Sequence, residues 1–268
     1  MVFTGRLPSM AELDRLYGSY PVHLQVSDIT RLRYKDLLQG FNRYRENNMI
    51  LDAGSGSGFF LDVAQEHGWR TYGSEYDPAI VAQCRDRGIK MWQGQLMEDS
   101  FAGNSFDVIT SFEVLEHLPE PLKELELFHK FLRPGGLLYL TTPNFGSIGR
   151  RLAGKDWSIV NYPEHLNYFT TRTLRSALSK VGLNVLGSYT TGISLSRSMF
   201  GTQPGSKAEA NVDPDNTDQR IRRSIESSRL LRMTKSAVNA LLNLTNKGDS
   251  LKIFGEKSPL NDDKAAHP

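Results

Sequence analysis

Ile50-Leu51-Asp52-Ala53-Gly54-Ser55-Gly56-Ser57-Gly58 decides how this chain is read. It describes a short buried strand, an acidic residue, and a turn with glycine at every second position. Glycine has no Cβ, so the backbone at those three positions can come very close to a ligand. The next residues, Phe59-Phe60-Leu61-Asp62-Val63-Ala64, have the pattern of a helix, whose free N–H groups aim at whatever rests on the turn. Strand, glycine turn and helix make the ligand cradle of an open α/β sheet, at the carboxyl ends of its strands.

The glycine spacing narrows the ligand. A dinucleotide fingerprint needs G-x-G-x-x-G, with its third glycine packing helix on strand. Gly54, Gly56 and Gly58 give G-x-G-x-G instead, and Phe59 stands in the place of the dinucleotide glycine. A P-loop needs Gly-Lys-Ser/Thr, and no such tripeptide follows. Asp52 would add like charge beside a pyrophosphate and better suits a ligand with a cationic end. In these features the stretch resembles the first motif of the class I S-adenosylmethionine-dependent methyltransferases, a strand ending in an acid followed by G-x-G-x-G.

Further motifs follow in order. Thr71-Tyr72-Gly73-Ser74-Glu75 reads as a second strand ending in an acid, 17 residues after Gly58 and 21 after Gly54. That is about the ~20-residue interval after which a Rossmann-like unit offers a carboxylate to a ribose. A carboxylate can accept hydrogen bonds from both ribose hydroxyls. Asp77 and Pro78 read as the N-cap and first position of a helix. Phe106-Asp107-Val108-Ile109-Thr110-Ser111 is a strand running into Phe112-Glu113-Val114-Leu115-Glu116-His117-Leu118. A helix from Pro121 to Phe131 places Leu122, Leu125, Phe128 and Leu132 at three- and four-residue steps. Leu132-Arg133-Pro134-Gly135-Gly136 ends that helix, and Leu137 to Thr142 is the next strand. The order F-D-V-I, V-L-E-H-L, L-R-P-G-G-L-L resembles the fourth- to fifth-strand stretch of the same family, and the resemblance spans roughly residues 45 to 190.

The resemblance implies a Rossmann-like, doubly wound α/β fold. Its mostly parallel seven-stranded sheet has the last strand antiparallel, with a helical N-terminal extension and lid insertions. It also implies S-adenosyl-L-methionine as cofactor. Asp52, Gly54, Ser55, Gly56, Gly58 and Phe59 form the first motif; Asp52 holds the turn and, directly or through water, the positive methionine end. Glu75 binds ribose, with Tyr76 beside it. Gln95 and Leu96, after the third strand, face the adenine. Ser111 and Phe112 lie where the family uses backbone carbonyls on the methionine ammonium. The competing readings are a tight structural turn for the glycines and an exposed strand-end carboxylate for Glu75.

Length and composition agree with one such domain. A chain of 268 residues holds one α/β domain with insertions. Its 39% hydrophobic and 23% charged residues are ordinary for a soluble globular chain, and a net charge of +2 does not point to nucleic acid. One cysteine, Cys84, rules out an intrachain disulfide and fits a reducing compartment. No apolar leader segment opens the sequence and no apolar run approaches the ~18 residues of a membrane span, so the expected compartment is the cytoplasm. No Cys/His cluster has metal-ligand spacing, and no metal is expected.

The expected organisation is a helical N-terminal extension over 1–45, a methyltransferase domain over 46–256, and a flexible tail over 257–268. The extension comprises one helix capped by Ser9, with Met10, Leu13, Leu16 and Tyr17 on one face, and a second from Ser27 to about Tyr44. A substrate-side insert occupies 143–169. Thr170 or Thr171 caps a helix whose Leu174 and Leu178 face inward, and Val185 to Thr191 is a strand. A loop and helix insertion at 197–248 precedes the last strand, Ser250 to Gly255. The helix over 219–246 carries Ile221, Ile225, Leu230, Leu231, Val238, Leu241 and Leu242, together with Arg220, Arg222, Arg223, Arg229, Arg232 and Lys235. A basic amphipathic helix can lie on an acidic membrane, though a solvated face on a packing helix is the commoner meaning.

The catalytic candidates are His165 and His117. Glu164 beside His165 could fix its tautomer if a loop lets the two meet. Tyr162, Tyr168 and Phe169 would wall a planar substrate. His117 is read either as a base or as a locally bonded helix-start histidine. The expected reaction is methyl transfer to an oxygen or carbon of a small molecule such as a quinone, sugar or secondary metabolite. The alternatives are a cofactor-binding protein without catalysis and a peripheral-membrane quinone methyltransferase. Ser111-Phe112-Glu113-Val114 replaces the Asn/Asp-Pro-Pro-Tyr/Phe tetrapeptide of nucleic-acid amino methylases, so no nucleic-acid partner is expected. The expected assembly is a monomer or homodimer.

Overall fold

The computed structural model describes residues 2–5, 8, 12, 26–192 and 229–259. Nine strands and seven α-helices lie among them. They are β1 (Val2–Phe3), α1 (Asp28–Phe41), β2 (Met49–Ala53), α2 (Phe59–Glu66), β3 (Arg70–Glu75), α3 (Pro78–Asp86), β4 (Lys90–Gln93), β5 (Phe106–Phe112), α4 (Pro121–Phe131), β6 (Leu132–Pro143), α5 (Ile148–Ala153), β7 (Asn167–Tyr168), α6 (Thr171–Lys180), β8 (Leu183–Thr191), α7 (Arg229–Thr245) and β9 (Ser250–Lys257).

Seven strands form one sheet in the order β4-β3-β2-β5-β6-β9-β8. The pairs from β4 to β6 are parallel, and β9 runs antiparallel between β6 and β8. This is the mostly parallel, doubly wound sheet expected from the sequence. The strands are apolar on both faces because helices cover both. Successive residues alternate between the two layers. Ile50, Val108 and Tyr139 pack with Leu38, Phe41, Phe60, Leu61 and Val81 of α1, α2 and α3. Leu51, Ile109 and Leu138 pack with Leu125, Phe128, Leu174 and Leu178 of α4 and α6. The crossovers through β3 and β4 build away from β2 on one side, and β6 follows β5 on the other. The carboxyl ends of β2 and β5 therefore flank the crevice where ligands bind in such sheets.

Capping residues start the helices where the sequence places them. Ser27 accepts from Thr30 N–H, Asp77 from the N–H groups of Ala79 and Ile80, and Thr170 from Thr173 N–H in a reciprocal capping box. Leu174 and Leu178 are buried as expected.

Several expectations need correction. The second N-terminal helix ends at Phe41, and a short 3-10 turn covers Asn42–Tyr44. The extension is not wholly helical, because Val2 and Phe3 pair antiparallel with Tyr168 and Asn167 of the insert. The helix placed at Ser9 lies outside the described residues. Leu122 is 40% exposed, and α4 packs inward through Leu125, Phe128 and Phe131. Leu132 closes α4 as its C-cap, as expected, and in addition opens β6. It pairs with Phe106, and the ladder resumes at Val108–Leu137, so an irregularity in the pairing absorbs the Pro-Gly-Gly turn residues. Lys257, expected to begin the tail, ends β9, and its Nζ donates to Asn104 Oδ1 and to the carbonyls of His129 and Leu132. Only α7 of the 219–246 helix is described. There Leu242 is buried, while Val238 and Leu241 are exposed because no described element covers them. Residues 219–228 lie outside the described residues.

Candidate active site

The turn between β2 and α2 has three left-handed glycines, with φ of 71° at Gly54, 50° at Gly56 and 75° at Gly58. Two of them are glycine for packing as well. A Cβ on Gly54 would meet Val114 Cγ2 at 2.5 Å, and one on Gly58 would meet Cys84 Sγ at 2.8 Å. Nothing lies within 4 Å of a Cβ built on Gly56, so that position faces open space. Ser55 N–H donates to the Ser74 carbonyl at 2.9 Å, which ties the turn to the end of β3. Phe59 is the first residue of α2, and Gly58 at its N-cap makes no side-chain cap.

Two carboxylates border the turn. Asp52 is buried, and its Oδ1 accepts from Thr110 Oγ1 at 2.7 Å across β2 and β5. Burial pushes Asp52 up to about 7, against the Thr110 hydrogen bond and with the nearby Glu75 charge adding to the rise. Glu75 Oε2 accepts from Gly56 N–H at 2.9 Å, and its Oε1 accepts from the N–H groups of Tyr76 and Asp77. Ser111, at the end of β5, has a buried Oγ with no hydrogen-bond partner. These features fit S-adenosylmethionine. The open face at Gly56 leaves room for close approach, the buried acid favours a cationic group, and Ser111 Oγ is free to bond a polar one.

The other expected cofactor residues are less uniform. Phe112 is half-buried, with its ring against Phe60, Tyr139 and Tyr34. Leu96 is buried in the core, Gln95 is exposed, and Tyr76 is 47% exposed. Tyr34 of α1 belongs beside this group, although the sequence reading did not single it out. Its ring packs edge-on against Phe60 at 5.3 Å, and its hydroxyl is pushed up by burial and by Asp52. No local signal marks it; only its place on an extension able to fold over the turn does. A separate groove of about 580 Å³ beside β4, lined by Tyr72, Lys90, Met91, Trp92 and their neighbours, includes none of the expected site residues.

The two histidine candidates meet. Their ring centroids are 4.6 Å apart. His117 Nδ1 donates to the Glu164 carbonyl at 2.8 Å, and His165 Nδ1 donates to the Ile159 carbonyl at 2.6 Å. A carbonyl can only accept, so both rings carry hydrogen on Nδ1. The group that fixes the tautomer of His165 is therefore a backbone carbonyl rather than the neighbouring carboxylate, and Glu164 Oε2 accepts from Asn161 Nδ2. His117 is pushed down to about 4, first by burial and then by His165. The loop that carries His117 also touches the glycine turn: His117 N–H donates to the Val114 carbonyl, and Val114 is the residue that crowds Gly54. Of the expected aromatic wall only Tyr162 is exposed. Tyr168 pairs in β7, and Phe169 is core. Glu116 joins the pair, bringing its carboxylate within 4.8 Å of both rings. No metal-ligand spacing marks this set, because its third member lies 48 residues downstream of His117.

Comparison with known proteins agrees with the fold. A probable S-adenosylmethionine-dependent methyltransferase of Mycolicibacterium smegmatis is 33% identical over 130 residues, 48% of this chain and 47% of that protein. A ubiquinone biosynthesis O-methyltransferase of Pseudomonas aeruginosa is 29% identical over 102 residues, 35% of this chain and 44% of that protein. The chain thus spans about half the length of the curated relatives it matches. The crystal structure of a SAM-dependent methyltransferase from Archaeoglobus fulgidus superposes with a TM-score of 0.56 at 17% identity, covering 86% of this chain and 94% of that one, which shows the shared fold. No helix among the described residues is long and apolar enough to cross a membrane. The family model described as a methyltransferase domain matches residues 29–187, more than half of the chain, and with the glycine turn and its two acids this makes the chain a member of the class I S-adenosylmethionine-dependent methyltransferases.

Proposed function

We propose that this chain transfers a methyl group from S-adenosylmethionine to a hydroxyl oxygen of a small molecule. The observation that carries the acceptor assignment is the contact of two imidazoles, His117 and His165, whose ring centroids lie 4.6 Å apart and whose Nδ1 atoms both meet backbone carbonyls. Bound S-adenosylmethionine supplies a methyl already activated by a positive sulfur. The chain therefore contributes mainly position, and it excludes water from the reacting atoms.

Glu75 orients the nucleoside end over the open face at Gly56. Asp52 and Ser111 face the amino-acid end, and Tyr34, Phe60 and Phe112 form an apolar wall. An amine acceptor needs only to lose its proton before attack, whereas a hydroxyl needs a group to hold or take its hydrogen. The imidazole pair is suited to that task.

Calorimetric titration with S-adenosylhomocysteine, followed by tritium transfer from methyl-labelled S-adenosylmethionine to quinols, catechols, sugars and amines, tests this. Micromolar binding with label passing to hydroxyl compounds is expected. Absence of binding, alone or with the acceptors present, would overturn the assignment, and label passing only to amines would overturn the oxygen acceptor.

A membrane-borne quinol acceptor is a second reading, motivated by Val238, Leu241 and Leu244, which are 42%, 62% and 81% exposed on α7. Co-sedimentation with anionic liposomes, reduced by Leu241→Glu, would favour it. Protein remaining wholly in the supernatant would remove it.

A further inference from the structure

Glu116, His117 and His165 converge although the first two follow β5 and the third stands just before β7. Hydrogen bonds lock both segments together. The N–H groups of Leu166 and Asn167 donate to the Glu116 carbonyl at 2.8 and 2.9 Å, and Asn167 Nδ2 donates to the Leu118 carbonyl at 2.6 Å. The donor geometry is set outside the cluster. Each imidazole spends its Nδ1–H on a carbonyl, the usual outer support of a metal-bound histidine, and turns Nε2 the other way. Thr142 Oγ1 holds Glu116 Oε2 at 3.0 Å. Glu116 Oε1 is buried in a residue only 2% exposed and has no hydrogen-bond partner. A buried carboxylate oxygen left unpaired is costly. His117 Nε2 lies 3.9 Å from Glu116 Oε1, beyond hydrogen-bond reach.

We propose that Glu116 Oε1 and the Nε2 atoms of His117 and His165 form a binding site for a divalent transition-metal ion of the zinc class. Two imidazoles with one carboxylate select such ions over magnesium or calcium, which prefer all-oxygen shells. Bonds of about 2.0–2.2 Å bring donors roughly 3–3.4 Å apart, so the cluster closes by about 1 Å on binding. Three protein donors leave a coordination position open, and an acceptor oxygen placed there would lose its proton more easily, so with the ion bound it is the ion and not the imidazoles that acts on the hydroxyl. That last role rests on the oxygen-methylation reading; the ion site itself does not.

Tag-free, chelator-treated, full-length protein titrated with Zn²⁺ by calorimetry tests the site. One ion per chain with micromolar or tighter affinity is expected, weakened at least ~10-fold by Glu116→Gln and by His165→Asn. S-adenosylhomocysteine binding by the variants checks that they fold. A readout on the unaltered protein is the ¹⁵N signal of the imidazole rings: Zn²⁺ should move Nε2 of His117 and His165 and leave the other four histidines in place. Substoichiometric or millimolar binding, variants that bind as well as the parent, or shifts confined to other histidines would each overturn the site. Zinc binding without S-adenosylhomocysteine binding would defeat the methyltransferase reading alone, and the reverse would defeat the metal site alone.

Discussion

A Cβ on Gly54 would stand 2.5 Å from Cγ2 of Val114, so the glycine turn and the loop after β5 share their contact surface only because Gly54 has no side chain. Gly54→Ala should therefore destabilise the fold by about 2–5 kcal/mol, combining a left-handed backbone with overpacking. Gly56→Ala meets no neighbour within 4 Å and should cost only about 1–2 kcal/mol through its φ of 50°. Yet its methyl would project into the open face of the turn and weaken S-adenosylhomocysteine binding. Urea unfolding and calorimetry separate the two effects. Adding Val114→Ala should recover part of the stability lost by Gly54→Ala and none of the binding lost by Gly56→Ala.

Asp52 makes cofactor binding depend on pH. Its folded value, about 7, lies above the ordinary 3.8, so the folded protein holds this proton between roughly pH 4 and 7 while the unfolded chain does not. This residue thus adds stability as the pH falls through that window, and Asp52→Asn should flatten the dependence. A cationic ligand group beside Asp52 favours the ionised form. Binding of S-adenosylhomocysteine below pH 7 should then release a proton and tighten as the pH rises toward 7. Calorimetry in buffers of different ionisation enthalpy reads the proton directly, and a heat independent of buffer would sink this account.

The β2-turn-α2 unit, the acid at Glu75 and the capped starts of α3 and α6 were legible because each is written in local chemistry: apolar runs, left-handed glycines and side chains that accept from N–H groups a few residues on. The meeting of His117 with His165 was not. It arises when the insert folds back onto the loop after β5, and no spacing encodes a contact across 48 residues. Local signals also held at Leu132-Arg133-Pro134-Gly135-Gly136, where Leu132 caps α4 and the ladder with β5 lapses between Leu132 and Leu137. The pairing of Val2 and Phe3 with the insert was invisible for the same reason as the histidines, since both partners are short and far apart in the chain.

Glu75 does more than face a ribose. Its two oxygens accept three backbone N–H groups, from Gly56, Tyr76 and Asp77, and so fix the turn before any ligand arrives. Glu75→Gln keeps the shape but leaves one oxygen to accept and replaces the other with a donor facing N–H groups. Charge-assisted bonds of this kind are worth about 1.5–3 kcal/mol each. S-adenosylhomocysteine affinity should fall by ~10-fold or more, with a smaller loss of stability. Equal affinities for the two proteins would show that the turn holds its form without the carboxylate.

Asp107 provides a contrasting case, because it stands at the start of β5 while Ser111 and Phe112 stand at its end. Fully buried, it accepts from the N–H groups of Glu46, Asn47 and Met49 and from Arg133 Nε at 2.6 Å, and Arg133 in turn donates to the Tyr44 carbonyl. This network ties the segment before β2 to the bottom of β5 and β6. Asp107→Ala leaves the guanidinium without its buried partner and three N–H groups without an acceptor, and should cost about 3–5 kcal/mol. Below the unfolding transition, S-adenosylhomocysteine affinity should stay within about twofold of the parent, since the damage lies at the opposite end of the strands from the glycine turn. A large loss of affinity in folded Asp107→Ala protein would mean that the two ends of the sheet are mechanically coupled.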